Sequence, residues 1–193
     1  MLIRKQYKFE GAHIVRGCSS ERCKKSIHGH SYVVEVFLQS DTLDKGMMVY
    51  DFGLMKSTIH ELIDSFDHAY TIWDKENEQF KQFIFDNSDR WVQLPVSPSA
   101  ECYSVILFAF IDDILKNTTM VNGEHGVRLH SVRVHETTTG YAEAFKEDLH
   151  MLPPNALDSI IFSDGCKSDW KYFTGVPGQQ YVISLRIKKG YFR

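Results

Sequence analysis

Polar and apolar residues alternate from Leu2 to His13 around Tyr7, Phe9, Gly11 and His13, which predicts a strand with one buried face. A polar, basic loop follows over Arg16 to Ile27. HGHSYVVEVFLQS then resumes the alternation, with Tyr32, Val34, Val36 and Leu38 on one face of a second strand. After the turn signal Asp44-Lys45-Gly46, the residues Phe52, Met55, Ile59, Leu62, Ile63 and Phe66 have helical spacing behind the acidic Asp51. They predict an amphipathic helix over Phe52 to Ser65. Trp73 to Pro98 is irregular by pattern, with FKQFIF as a short helix or strand, and reads as an insertion. Ser99 can cap a second helix, Ala100 to Lys116, whose unbroken apolar run Val105 to Ile111 places it in the core.

The turn at Asn122-Gly123 leads to a strand over Val127 to Glu136, and Tyr141 to Phe145 begins a last strand. Strand, strand, helix, helix, strand, strand is an α+β order with an antiparallel sheet. Beyond Pro153-Pro154 the composition changes. Residues 155–193 form a glycine- and aromatic-containing extension whose QQYVISLRIKKG stretch alternates as a strand, so an added hairpin or arm is expected.

Composition narrows the class. The 193 residues are 43% apolar and 24% charged, which excludes disordered, collagen-like and coiled-coil chains. The longest apolar run is far short of the roughly 20 residues a bilayer crossing needs, and MLIRKQYKFEGAH has no secretion-type apolar core, so a cytoplasmic, non-membrane protein is expected. A net charge of -3 gives no electrostatic reason to expect nucleic acid.

Histidine changes the picture, because there are nine, and three fall where strands can gather them. His28 and His30, two apart in a strand, project to one face. His13 ends the first strand, which can pair antiparallel with the second and bring its ring alongside. Three neutral imidazoles with an open fourth position suit a catalytic zinc; the alternative is ordinary polar residues at a strand edge. Cys23 lies in a loop with Arg22, Lys24 and Lys25, and nearby positive charge favours a thiolate that can act as base or nucleophile. Cys18 and Cys23 could instead bind metal or be inert. Among the acids, Asp67 beside His68 can orient it in a turn, Glu101 fits a helix start, and Glu136 ends an apolar strand where a carboxylate is paired or awaits a ligand with two N–H donors.

Together FEGAH, CKKSIHGHSY, GMMVYDFGLMK, FDHA, PSAE and VRVHETTTG resemble the 6-pyruvoyl-tetrahydropterin and 6-carboxy-tetrahydropterin synthase family over roughly residues 1–149. The resemblance implies the tunnelling fold: a four-stranded antiparallel sheet with two helices on one face, subunit sheets closing into an oligomeric barrel. It further implies a homo-hexamer built as a dimer of trimers, with active sites between subunits. By motif match His13, His28 and His30 would hold Zn2+, Cys23 with Asp67 and His68 would move protons, and Glu136 would grip the pterin ring. Glu101 and Ser99 match positions near the pterin pocket. Arg16, Arg22, Lys24 and Lys25 are candidate triphosphate contacts.

The implied substrate is 7,8-dihydroneopterin triphosphate. Cleavage to 6-carboxy-tetrahydropterin, acetaldehyde and triphosphate, on the route to queuosine and other deazapurines, is the expected outcome. Triphosphate elimination to the 6-pyruvoyl product, and a non-enzymatic zinc-stabilised module, are the alternatives. Two stretches exceed the compact family pattern, the insertion at about 73–98 and the extension at 155–193, and Cys18 remains a second candidate for the reactive thiol.

Overall fold

The computed structural model describes residues 1–181 of the chain. In chain order the elements are β1 (Leu2–His13), α1 (Glu21–Lys25), β2 (His28–Gln39), α2 (Thr58–Asp64), β3 (Ala69–Trp73), α3 (Glu78–Asn87), β4 (Trp91–Leu94), α4 (Ala100–Lys116), β5 (Arg128–His135), β6 (Tyr141–Ala144), β7 (Ile161–Phe162) and α5 (Asp164–Lys167). The expected alternation organises the first hairpin. β1 and β2 pair antiparallel without a break from Leu2↔Gln39 to His13↔His28, and Tyr7, Phe9, Tyr32, Val34, Val36 and Leu38 are all buried. β5 joins β2 antiparallel, with a bulge between Phe37 and Leu38, and β6 joins β5.

The sheet does not stop at the four antiparallel strands that were expected. It has seven strands in the order β6-β5-β2-β1-β3-β4-β7, and it is mixed. β3 lies parallel to the last residues of β1, β4 lies parallel to β3, and β7 closes the edge antiparallel to β4. Residues 74–98 are therefore not irregular. FKQFIF lies in α3, capped by the Asn77 side chain accepting from the Gln79 and Phe80 amides, and α3 is the crossover that parallel neighbours require.

Two layers result. α4 and α2 pack on one face, over a core that runs from Phe9 and Tyr32 to Phe110 and Val134. Ala69 faces that core, whereas its neighbours in alternation, Tyr70 and Ile72, join Ile14 and Ile84 in a second cluster beneath α3 on the other side. The helix expected over Phe52 to Ser65 is shorter and interrupted. A 3-10 turn, Leu54–Lys56, is separated from α2 by Ser57, whose φ of -96° and ψ of -111° are not helical, and Phe52 is left exposed.

Residues 156–181 pack onto this frame. Phe162, Trp170 and Phe173 stack edge-on with one another and against Phe66 and Phe110. The Glu61 carboxylate accepts three consecutive backbone N–H groups, from Lys171, Tyr172 and Phe173, at 3.0, 2.7 and 2.8 Å. The strand expected from QQYVISLRIKKG lies, beyond Tyr181, outside the described residues. Among the described residues no helix is long and apolar enough to cross a membrane.

Candidate metal centre and its surroundings

The hairpin register sets the site. His13 is directly opposite His28, and His30 is opposite Gly11, so all three imidazoles project from the same face. Gly29 between the two histidines suits the close approach of β1: a Cβ there would sit 3.0 Å from the Gly11 carbonyl oxygen, a tight contact. One nitrogen or more from each of the three rings lies in a group spanning no more than 4.8 Å, an arrangement that could hold a metal ion.

Hydrogen bonding fixes the tautomers. The His13 Nδ1 is 2.5 Å from the Pro98 carbonyl oxygen and the His28 Nδ1 is 3.0 Å from that of Ser26. A carbonyl only accepts, so both Nδ1 atoms carry the proton and, in neutral rings, both Nε2 atoms carry a bare lone pair. Those two Nε2 atoms are 3.1 Å apart. Two lone pairs at that distance repel unless a cation lies between them. A proton is disfavoured there, because burial first, and then the neighbouring His28 and His30 rings, push the His13 pKa down to about 4 against the opposing Pro98 bond. The His30 pKa is also lowered, chiefly by burial, and its Nε2 is buried with no hydrogen-bond partner. A fully buried ligand, two carbonyl-oriented rings and an orphaned nitrogen fit a divalent metal better than any other occupant.

Glu136 follows β5 and reaches back to this cluster. Its Oε1 is 3.6 Å from His13 Nε2 and 3.7 Å from His30 Nε2. Tyr32, two residues after His30 and so on the same face, places its hydroxyl 3.4 Å from His13 Nδ1. Its pKa is raised, first by burial and then by Tyr103 and Glu136, so it stays protonated. Tyr32 was legible in the sequence only as a core residue, although the spacing that joins His28 to His30 also extends to it. Tyr103 of α4 closes the wall, with its ring 5.2 Å from that of Tyr32 and 6.4 Å from that of His13.

The N-terminus of α4 adjoins the cluster through Pro98. Ser99 is the cap of that helix, its Oγ accepting from the Cys102 amide at 3.3 Å, and Glu101 is exposed on the first turn. Cys23 sits in the single turn α1, half-buried, and its carbonyl accepts from the Val15 amide just beyond β1. Cys18 is likewise half-buried, and its thiol donates to the Ser20 carbonyl at 3.1 Å. Of the basic loop residues, Arg16 is held at 2.6 Å by Glu76, which lies between β3 and α3, and Lys25 pairs with Glu21, which leaves Arg22 and Lys24 without an ion-pair partner among the described residues.

Asp67 and His68 are not members of the three-histidine group. They lie in the turn between α2 and β3, where Asp67 Oδ2 accepts from His68 Nδ1 at 2.7 Å and Asp67 Oδ1 accepts from the Glu10 amide at 2.7 Å. His68 adopts a left-handed backbone, φ +53°, and is largely exposed. It borders a groove of about 530 Å³ shared with His30, Glu10, Ile27, Tyr70 and Ile84. Within one chain the structure thus gathers His13, His28, His30, Glu136 and the start of α4, and keeps the Asp67–His68 pair on the groove.

A seven-stranded α+β sheet backed by two helices and carrying a three-histidine metal-type centre defines a pterin-synthase-like architecture. The chain belongs to the 6-pyruvoyl tetrahydropterin synthase family, whose model matches residues 2–147. It is 43% identical over 173 residues to the 6-carboxy-5,6,7,8-tetrahydropterin synthase of Helicobacter pylori strain J99, covering 88% of this chain and 86% of that one. Its fold is similar to that of an uncharacterized protein from Wolinella succinogenes, with a TM-score of 0.63 and 20% identity over 76% of this chain and 98% of that one. It is also similar to Caenorhabditis elegans 6-pyruvoyl tetrahydropterin synthase, with a TM-score of 0.53 and 22% identity over 75% and 94% of the two chains.

Proposed function

We propose that the protein is a zinc-dependent 6-carboxy-5,6,7,8-tetrahydropterin synthase, converting 7,8-dihydroneopterin triphosphate and water to 6-carboxy-tetrahydropterin, acetaldehyde and triphosphate. The observation that carries this is the pair of bare Nε2 atoms of His13 and His28, 3.1 Å apart beside His30, in a chain so close to a relative of that name. His13, His28 and His30 would hold zinc, which when bound supplies Lewis acidity toward the substrate's side-chain hydroxyls.

The chain's own groups do the rest. Glu136 accepts the amino and ring N–H groups of the pterin, and Ser99 and Glu101 border that pocket at the start of α4. The Cys23 thiolate takes a proton from the substrate side chain. His68, with Nδ1–H held by Asp67, exchanges that proton at Nε2. The reading includes a homo-hexamer, a dimer of trimers, whose active sites form between subunits, as the family resemblance implies. Arg22 and Lys24 are the cations free to meet the triphosphate.

Incubation of the zinc-loaded protein with 7,8-dihydroneopterin triphosphate, followed by product identification, tests the reading. Acetaldehyde with a 6-carboxy pterin is expected. A 6-pyruvoyl pterin would overturn the product, and absence of turnover would overturn the function. Cys23→Ser is expected to lower kcat about a hundredfold with zinc content unchanged, the usual scale for loss of a general base; a Cys18→Ser variant with the larger loss would move the role to Cys18. Glu136→Gln replaces an acceptor-only carboxylate by an amide that turns an NH2 toward the pterin donors. KM should rise about tenfold or more, measured by steady-state kinetics, since charged hydrogen bonds contribute roughly 1.5–3 kcal/mol.

A further inference from the structure

We propose that Arg90 is a positioning residue for the Asp67–His68 pair, and that the segment around Gly165 and Asp169 holds Arg90 in place. This rests on the reading of that pair as a proton-transfer unit. Arg90 lies just before β4, and its guanidinium spans two parts of the chain that are distant in sequence. Its Nε donates to the Asp67 carbonyl at 2.8 Å and its Nη2 to the Asp64 carbonyl at 2.7 Å, so one edge of the planar fork grips both ends of the turn. Its Nη1 donates to the Gly165 carbonyl at 3.0 Å and to Asp169 Oδ2 at 2.8 Å.

The turn needs such a grip. His68 holds a left-handed backbone that L residues seldom adopt, and only fixed neighbours keep it there. On one side β1 supplies them: the His68 amide donates to the Glu10 carbonyl at 2.7 Å, and the Glu10 amide donates to Asp67 Oδ1 at 2.7 Å. On the other side the Asp67 carbonyl meets Arg90. The direction of the Asp67 carboxylate, and with it the orientation of the His68 ring, is set between these two supports.

The C-terminal segment is docked closely enough to act as the backstop. A Cβ at Gly165 would lie 2.4 Å from the Asp89 carbonyl oxygen, so the backbone there rests directly on the residue preceding Arg90. Trp170 Nε1 adds a bond of 2.8 Å to Ser65 Oγ in the same turn. The extension thereby acquires a place in the chemistry without contributing a residue that touches substrate.

Full-length Arg90→Ala and Arg90→Lys test this. Both are expected to lose kcat by about ten- to a hundredfold with KM and zinc content held, because lysine keeps the charge but cannot bridge two carbonyls. Guanidinium salt should restore part of the kcat of Arg90→Ala and none of that of Arg90→Lys. Amide hydrogen exchange at residues 66–69, read in the same variants, should quicken. Unchanged kcat in a folded variant would overturn the proposal, as would a change in KM alone. If the wild-type chain shows no turnover, the functional reading fails by itself, and unchanged exchange at His68 in the variants would then overturn the positioning role independently.

Discussion

Replacing His28 by alanine is expected to remove bound zinc and to lower turnover by about a thousandfold or more, with the fold intact. The expectation follows from where His28 stands. His13 is wholly buried, and its removal would also leave a cavity, whereas His28 is partly exposed at the start of β2, where among the described residues its Nδ1 donates to the Ser26 carbonyl and its Nε2 faces that of His13. Truncating it therefore tests the metal more than the core. Zinc content by elemental analysis, thermal melting and turnover should be read on one preparation. Zinc lost with little change in melting is the catalytic outcome. Zinc lost together with the fold, in the variant or in chelator-treated wild type, would mark a metal that holds the chain together, as a zinc-stabilised module requires. Full zinc retained would sink the three-histidine site.

The same variant bears on the protonation argument. With His28 gone, the lone-pair clash beside His13 and the charge repulsion between the two rings both disappear, while burial of His13 remains. Burial is the larger cause of the low His13 pKa, so that pKa should recover only partly toward its usual value. His13 is depressed in the folded chain, so the unfolded state binds the extra proton first. In the metal-free protein the resulting loss of stability should begin as pH falls below the ordinary histidine range and continue to about pH 4, and it should be smaller in His28→Ala. Denaturant melts across that window measure it.

The parts of this fold that could be read from the sequence are those with one wet face and one dry face. β1, β2 and β5 each alternate, and the alternation that buries Tyr7, Phe9 and Tyr32 also places three histidines side by side. What escaped has a common cause. The first four residues of β3, AYTI, are all buried, because helices cover both faces of the sheet there, and a strand buried on both faces shows no period of two. β4 and β7 have four and two residues, too few for any pattern. The parallel pairing of β1 with β3 rests on three residue pairs, and no local signal announces it. In the site, spacing could bring His13, His28 and His30 together because one register relates them. It could not place Glu136 against them, since that contact depends on how β5 pairs with β2 and on where β5 ends. Arg90 was invisible for a different reason: each of its partners is a backbone carbonyl or a residue in the extension.

Phe162→Ala carries the second large effect, a loss of about 3–5 kcal/mol of stability and a melting point lowered by roughly 10 °C. Phe162 is buried in β7, and its ring meets those of Phe66, Phe110, Trp170 and Phe173, so the two halves of that cluster come from α2–α4 elements on one side and the extension on the other. An arm added to a finished domain would detach when its anchor is cut and leave the melting of the remainder unchanged. A segment that completes the core would instead take the whole transition down with it. Calorimetry separates the two, because the first gives a low-temperature shoulder and the second a single shifted transition. The second is expected: Phe162 closes over Phe66, and Phe66 leads directly into the Asp67–His68 turn. A cavity at Phe162 should therefore loosen that turn as well, and kcat should fall well below the melting temperature while the metal proposed at His13, His28 and His30 stays in place. A single lowered transition with wild-type kcat would separate the extension's structural role from any influence on the turn.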